Sequence, residues 1–287
     1  MKKPSSDSIQ AYKIELSNSI PIEKLYGDFD TYFNSFEATY TEIIEHIKPS
    51  DTILDVGCGP GIMIDYLDRQ GYEINGFDNF LYNPDSELIV ESFGKESIIK
   101  NCEIKNYIFE KSYDVIVISN VVEHLDDWEK CLDILDQHLN QNGRIILMLP
   151  NYSFPFEVHF MIPIIISKSL TYSLFKKSIS IFEDKYSRHG LWDSLNFIKP
   201  NQISRFYTKR GYTIFFDKKY MIKFIRRSIS RSHLKDSVFS DNILRNFLVS
   251  LSKLLLETNL LRFFSYLPLS FHPFIKIIAS KDSTIIK

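Results

Sequence analysis

The chain has 287 residues, a formal net charge of −2, and 44% hydrophobic against 24% charged residues: enough apolar material for a sizeable core, too little length for two large domains. Three cysteines, Cys58, Cys102 and Cys131, stand apart without Cys-x-x-Cys spacing, which argues against a disulfide framework or a zinc site and fits a reducing cytoplasm. Residues 1–19 are polar and lack the apolar stretch of a signal peptide, and no apolar run approaches the ~20 residues that span a bilayer, so neither export nor a transmembrane anchor is expected.

Residues 1–35 read as an N-terminal segment. From Thr52 onward, strands and helices alternate as in a parallel sheet with crossover helices. The first strand, Thr52 to Asp55, runs into Gly57-Cys58-Gly59-Pro60-Gly61, a turn that opens a helix over 62–70. Glycines there let backbone approach a ligand or the following helix, and the helix points its first amides at a negatively charged group. A second strand, 72–77, ends at Asp78, whose carboxylate can accept hydrogen bonds from both hydroxyls of a ribose. The spacing Gly-x-Gly-x-Gly is not the Gly-x-Gly-x-x-Gly that surrounds a dinucleotide pyrophosphate, which disfavours a nicotinamide-dependent oxidoreductase; with no Lys-Ser/Thr pair, a P-loop is excluded. A glycine turn alone is also compatible with no catalytic meaning, so the residues downstream decide its weight.

Residues 87–93 fit a helix and 98–104 a third strand. Tyr113 to Ser119 is a buried β-branched run, the fourth strand, and a helix over 127–139 follows, stopped by Asn140, Asn142 and Gly143. Arg144 to Leu149 forms a fifth strand ending in Pro150-Asn151. A proline-led helix over 200–210, a strand over 212–216 and a seventh strand over 274–279 complete the sheet. The catalytic domain is thus expected over 36–220, with 152–196 inserted beyond the carboxyl end of the fifth strand as a roof over the substrate pocket, and a helical extension over 221–287. In that extension Ile222, Ile225 and Ile229 share a helical face, and Ile243, Leu244, Phe247, Leu248, Leu251, Leu254 and Leu255 form a stripe. The stripe reads either as ordinary core or, with Phe263, Phe264, Tyr266 and Leu267 and cationic flanks, as an element lying on a membrane surface. Eleven Lys or Arg between Lys199 and Lys235 face one acid, Asp217. They are either a solvated face or an attraction for an anionic partner such as lipid headgroups, a phosphate-bearing substrate or nucleic acid.

Asp55 to Gly61 together with Asp78 resembles the cofactor signature of the class I S-adenosylmethionine-dependent methyltransferases. The resemblance implies an α/β, Rossmann-like seven-stranded methyltransferase fold, a mostly parallel sheet with helices on both faces, and S-adenosyl-L-methionine as cofactor. It places Asp55, Gly57, Cys58, Gly59 and Gly61 around the methionine part, Asp78 at the ribose with Asn79 beside it, and Cys102 and Glu103 at the adenine. Cys102 reads equally as a small buried apolar residue. Ser119 and Asn120 would lie beneath the methionine carboxylate or the methyl group. Past the fourth strand, His124 can take a proton from a hydroxyl attacking the sulfonium methyl; the plainer reading is that it caps the next helix or orients Glu123.

Glu123-His124-Leu125 resembles a narrower group, the ubiquinone-biosynthesis O-methyltransferases and related type 11 and type 23 methyltransferase-domain proteins. The stretch from His189 to Pro200 is similar to another segment of that group, and makes His189 a third catalytic candidate. Where the group has a further glutamate three positions before its Glu-His pair, this chain has Asn120, so no metal is expected. The expected function is O-methylation of a small-molecule or lipid-linked acceptor, such as a glycan or a quinone-like compound, at a cytoplasmic site or peripherally at an anionic inner membrane face. RNA methylation and a non-catalytic S-adenosylmethionine-binding module are the alternatives; against RNA stand the lack of an appended RNA-binding domain and of an Asn/Asp-Pro-Pro-Tyr/Phe tetrapeptide.

Overall fold

A computed structural model describes residues 6–25, 28–81, 85–186, 188–223, 263 and 265–282. The stripe from Ile243 to Leu255, Ile225, Ile229, Phe264 and the basic residues Arg226 to Lys235 lie outside the described residues. Contacts divide the chain into two compact units, one of residues 1–147, 211–213 and 278–287, the other of 148–210 and 214–277.

The first unit begins with α1 (Ser6–Ser19), whose buried Ile9, Tyr12 and Leu16 recur at helical spacing. In α2 (Phe29–Ile43), capped by the Asp28 side chain on the Asp30 N–H, the buried face is aromatic: Phe29, Phe33, Phe36 and Tyr40. These rings gather with Tyr12 and with Tyr66 of α3 (Ile62–Arg69); the Tyr12 and Tyr66 centroids are 4.8 Å apart and those of Phe36 and Tyr66 5.3 Å. The Tyr12 hydroxyl donates to Asp65 at 2.8 Å, and Arg69 reaches the same carboxylate at 2.8 Å. The polar N-terminal segment is therefore built into the same core as the glycine-led helix.

Around that core run β1 (Thr52–Val56), β2 (Glu73–Asp78), α4 (Ser86–Phe93), β3 (Ile99–Asn101), β4 (Tyr113–Ser119), α5 (Trp128–Gln137) and β5 (Leu139–Pro150). The pairs β1–β2, β1–β4 and β2–β3 are parallel. Val115 to Ile118 and Ile145 to Leu149 are almost wholly buried, as expected of strands covered on both faces. Beyond β5 come β6 (Phe156–Glu157), β7 (Ile162–Pro163), α6 (Lys168–Tyr186), α7 (Leu191–Ser194), α8 (Pro200–Thr208), β8 (Thr213–Phe216) and β9 (Phe274–Ser280). One sheet takes the order β3-β2-β1-β4-β5-β9-β8, and β6 and β7 form a separate antiparallel pair. This is the expected Rossmann-like methyltransferase fold, a seven-stranded, mostly parallel sheet with helices.

Two expectations need correction. The third strand is only Ile99–Asn101, because Ile104 starts a short 3-10 turn. The helix before β5 ends at Gln137, and Leu139 to Gly143 belong to β5. A Cβ on Gly143 would lie 2.9 Å from the Asn140 carbonyl oxygen and 2.8 Å from Leu139 Cγ, so the chain doubles back there before continuing into Arg144. Extended residues three apart would be ~10 Å from each other.

In the second unit, the insertion carries its own apolar cluster: Phe160, Ile162, Ile179, Leu191, Trp192 and Leu195, with Phe175, Phe182 and Phe197 packed against it. Asn151 ties the end of β5 to the segment before β9. Its N–H donates to the Pro273 carbonyl at 2.8 Å, and its side-chain amide to the carbonyls of Leu269 and His272, each at 2.7 Å.

Candidate active site

The carboxyl ends of β1 and β2 are stitched together by the glycine turn. The Gly57 N–H donates to the Phe77 carbonyl at 2.8 Å and the Gly59 N–H to Asp78 Oδ2 at 2.9 Å, while Phe80 N–H donates to Asp78 Oδ1 at 2.7 Å. Asp78 thus holds the turn as well as facing the site. A carboxylate offers about four lone-pair sites, and the N–H groups of Gly59, Phe80 and Asn79 draw on three of them. Gly57 and Gly61 lie at φ of +69° and +71°, in the left-handed region. A Cβ on Gly57 would come 2.2 Å from Val121 Cγ2, and one on Gly61 2.3 Å from Ile99 Cδ1. Two of the three glycines are therefore required by packing against the chain itself, a need the spacing did not reveal.

Asp55, fully buried at the end of β1, has its carboxyl pushed up to about 7, first by burial and then by the nearby charge of Asp78. Burial also pushes Asp78 up, against the pull of the N–H groups of Gly59, Phe80 and Asn79. The Cys58 thiol is driven well up by burial and by these two carboxylates, which makes it an inert neutral wall. At the end of β3, the Cys102 N–H donates to the Asp78 backbone carbonyl at 2.9 Å, so the chain at Cys102 runs beside Asp78. Burial raises its thiol too. Glu103 leads the following 3-10 turn and pairs with Lys105 at 2.6 Å, both half-exposed or more, and the Asn79 side chain accepts the Leu81 N–H at 3.1 Å.

Past β4 the chain strains. Asn120 takes φ of +54°, uncommon for a residue with a side chain, and Val121 then presses on Gly57. A 3-10 turn, Val122–His124, follows with Glu123 fully buried, so Glu123 and His124 ride on a turn locked to the glycine loop. Ser119 Oγ lies 3.3 Å from Thr39 Oγ1, and the Tyr32 hydroxyl donates to buried Asp85 at 2.8 Å. Through these bonds α2 touches the end of β4 and the segment after β2, a contribution sequence reasoning missed although Tyr32 and Thr39 share a helix face at a spacing of seven.

The second unit holds His189, whose side chain is 70% exposed with Nδ1 3.6 Å from Asp184. It also holds a pair that the sequence reading passed over, Glu157 and His159, joined at 2.6 Å. At the other end of the strands, Asp51, Asp114 and Arg144 line a polar cavity of about 530 Å³. Arg144 is engaged there by Asp51 and the His46 carbonyl, and Asp114 by Thr52 and Asn140, which marks these residues as structural.

A family model described as a methyltransferase domain matches residues 31–214, more than half of the chain. The chain belongs to this methyltransferase family. Among relatives, an uncharacterized protein of Mycobacterium tuberculosis (strain H37Rv) is 26% identical over 198 residues, 66% of this chain and 67% of that protein. The ubiquinone biosynthesis O-methyltransferase of Rickettsia conorii is 27% identical over 160 residues, 51% of this chain and 53% of its own length. That of Rickettsia bellii is 33% identical over 119 residues, 38% and 48%. The chain thus spans about half the length of the ubiquinone enzymes it matches. Among solved structures, a plantazolicin methyltransferase in complex with SAH is 16% identical, with 97% of this chain and 100% of that chain covered and a TM-score of 0.45.

This methyltransferase uses S-adenosylmethionine. Its residues fit that group: the Asp78 carboxylate can still accept from a ribose hydroxyl, and the glycine turn joins the carboxyl ends of β1 and β2. Asp55 can offer negative charge to a cationic ligand once ionised.

Proposed function

We propose that this methyltransferase methylates a hydroxyl of a small-molecule or lipid-linked acceptor. The observation that carries the reading is the strained Asn120–His124 turn pressed on Gly57, which supports an acceptor binding at Glu123 and His124, next to the methionine end of the cofactor. The names of the Rickettsia relatives agree with oxygen as the acceptor atom. When bound, S-adenosylmethionine supplies an electrophilic methyl group, so the protein's part is to align the acceptor, exclude water and receive a proton. On this reading Asp55 and the turn from Gly57 to Gly61 hold the methionine part, Asp78 and Asn79 the ribose, Cys102 and Glu103 the adenine side, and Ser119 and Asn120 the reacting end. His189, largely exposed, is left out of this set. Residues 36–220 form the catalytic domain, the insertion over 152–196 selects the acceptor, and 221–287 extend it and supply the strand β9.

A lipid-linked acceptor is favoured by the exposed Phe263, Tyr266 and Phe271 and by the exposed Arg205, Lys209 and Arg210, which suit an anionic surface. Among the described residues no helix is long and apolar enough to cross a membrane. The test is transfer of labelled methyl from S-adenosylmethionine into a bacterial lysate split into lipid, glycan, RNA and protein fractions. Label in alkali-stable methyl ethers of the lipid or glycan fraction is expected; label only in RNA, in alkali-labile esters or on nitrogen refutes the reading.

A further inference from the structure

Helix α6 lies wholly in the second unit and carries two apolar faces. One of them, with Phe175, Ile179 and Phe182, packs into the insertion's apolar cluster. The other looks outward: Leu170, Leu174 and Ile181 are exposed, Leu174 at 62%, and the 3.6-residue period sets the three within an arc of about 40°. Lys177 and Lys185, both exposed, fall about 20° to either side of that arc. The two acids of the helix are engaged with the chain: Glu183 accepts the Trp192 N–H at 2.9 Å, and Asp184 lies 3.6 Å from His189. Just ahead of α6 the backbone is strained. Ile166 takes φ of +58° in a three-residue turn closed by the Ser167 N–H on the Ile165 carbonyl at 2.5 Å. A β-branched residue resists that conformation, and it persists because buried Thr171 holds both sides of the turn: its hydroxyl donates to the Ser167 carbonyl and accepts the Ile165 N–H, each at 2.8 Å. The outcome is an isoleucine 93% exposed, one helical turn in sequence before Leu170. Folding gains nothing from a strained isoleucine in water.

We propose that α6 and Ile166 dock the protein on a membrane surface rich in anionic lipid. Ile166, Leu170, Leu174 and Ile181 enter the boundary between headgroups and acyl chains. Lys177 and Lys185 lay their methylene stems along the same boundary and hold their ammonium groups at the lipid phosphates. An apolar stripe with a cation on each flank matches a partner that is apolar within and anionic on both sides of the helix, which is the layering of a bilayer face. An acidic groove on another protein would instead set particular carboxylates opposite particular lysines. The inference goes beyond the acceptor reading and does not rest on it, because a docked protein can methylate a lipid or a water-soluble acceptor.

The test is co-flotation of the full chain with vesicles of phosphatidylcholine alone and of phosphatidylcholine mixed equally with phosphatidylglycerol, at low and at high salt. Wild type is expected to float with the mixed vesicles at low salt and to leave them at high salt. Lys177→Gln and Lys185→Gln should each weaken binding ~5-fold, and Leu174→Gln ~10-fold. Ile166→Gly separates docking from folding. Glycine adopts φ of +58° freely, so the urea unfolding midpoint of this variant is expected at or above that of wild type while its vesicle affinity falls ~5-fold. Wild type that does not float with the mixed vesicles, equal flotation with neutral ones, or an Ile166→Gly chain that loses stability and keeps its affinity overturns the proposal. So does a dimer, seen by sedimentation, that Leu174→Gln dissociates, because the stripe then belongs to a second copy. Methyl transfer is read in none of these arms, so an error in the acceptor atom leaves their outcome unchanged.

Discussion

Asp55→Asn separates two consequences of one buried acid. In the unfolded chain Asp55 titrates near 3.8, and in the folded protein near about 7. Folding therefore favours the protonated acid: the stability this gives is complete below the unfolded value and is lost as pH rises through the folded one. Between about pH 5 and about pH 8 the wild type should lose roughly 3 kcal/mol that the always-neutral asparagine keeps, from 1.36 kcal/mol per unit of displacement. Urea unfolding of the two unliganded proteins at those pH values, with equal m-values, measures the difference. Cofactor binding moves the other way, because a cationic ligand draws Asp55 into its charged form. Below about pH 7 wild-type affinity should fall by up to ~10-fold per unit and binding should release a proton, seen by calorimetry in buffers of different ionisation heat. In Asp55→Asn the affinity should be weak and nearly independent of pH. Stability curves for the two proteins that run parallel from pH 5 to pH 8 would show that Asp55 is ionised in the folded state and refute the argument.

Gly57→Ala places a methyl 2.2 Å from Val121 Cγ2 at a φ of +69°, so ~1–2 kcal/mol of backbone strain adds to a clash, and both stability and cofactor affinity should drop. Adding Val121→Ala should restore part of the loss in a denaturation series and leave the strain; no recovery would mean that the contact is not the cause. Lys276, fully buried, pairs with Asp217 at 2.6 Å, and that pairing holds the Asp217 carboxyl below its usual range despite burial. Lys276→Met alone should cost ~3–5 kcal/mol by stranding Asp217, whereas Lys276→Met with Asp217→Asn should recover most of it, a non-additivity read directly from unfolding midpoints. Tyr12→Phe removes a donor to buried Asp65 and should destabilise by ~1–3 kcal/mol while leaving turnover unchanged at saturating cofactor.

The strand, glycine turn and helix of the first unit were legible because their signals are local. They follow one another with Asp78 within thirty residues, and the turn's backbone conformation is written in residue type. β4 was legible for a similar reason: a β-branched run covered on both faces has few alternatives. α1 was missed as a helix because its apolar residues Ile9, Tyr12 and Leu16 are widely spaced among polar ones, and only the aromatic face of α2 makes them core. The start of β5 was misplaced because Asn140 to Gly143 has turn chemistry inside a strand. Glu157 and His159 were overlooked because two-residue strands have no periodicity to read. The signal available was the polar pair itself, a Glu-x-His inside an otherwise apolar run.

The insertion's private core has a consequence for how such enzymes diversify. Phe160, Ile162, Ile179, Leu191, Trp192 and Leu195 pack on one another within residues 152–196, so the folding of this segment is largely its own affair. On the proposed reading, in which this segment selects the acceptor, changes to its polar residues would retarget the acceptor without touching the methyl-donor machinery. The chain in effect keeps a fixed reagent and a replaceable fitting, and a chimera that exchanges only this segment between relatives should exchange the acceptor while the cofactor affinity stays as it was.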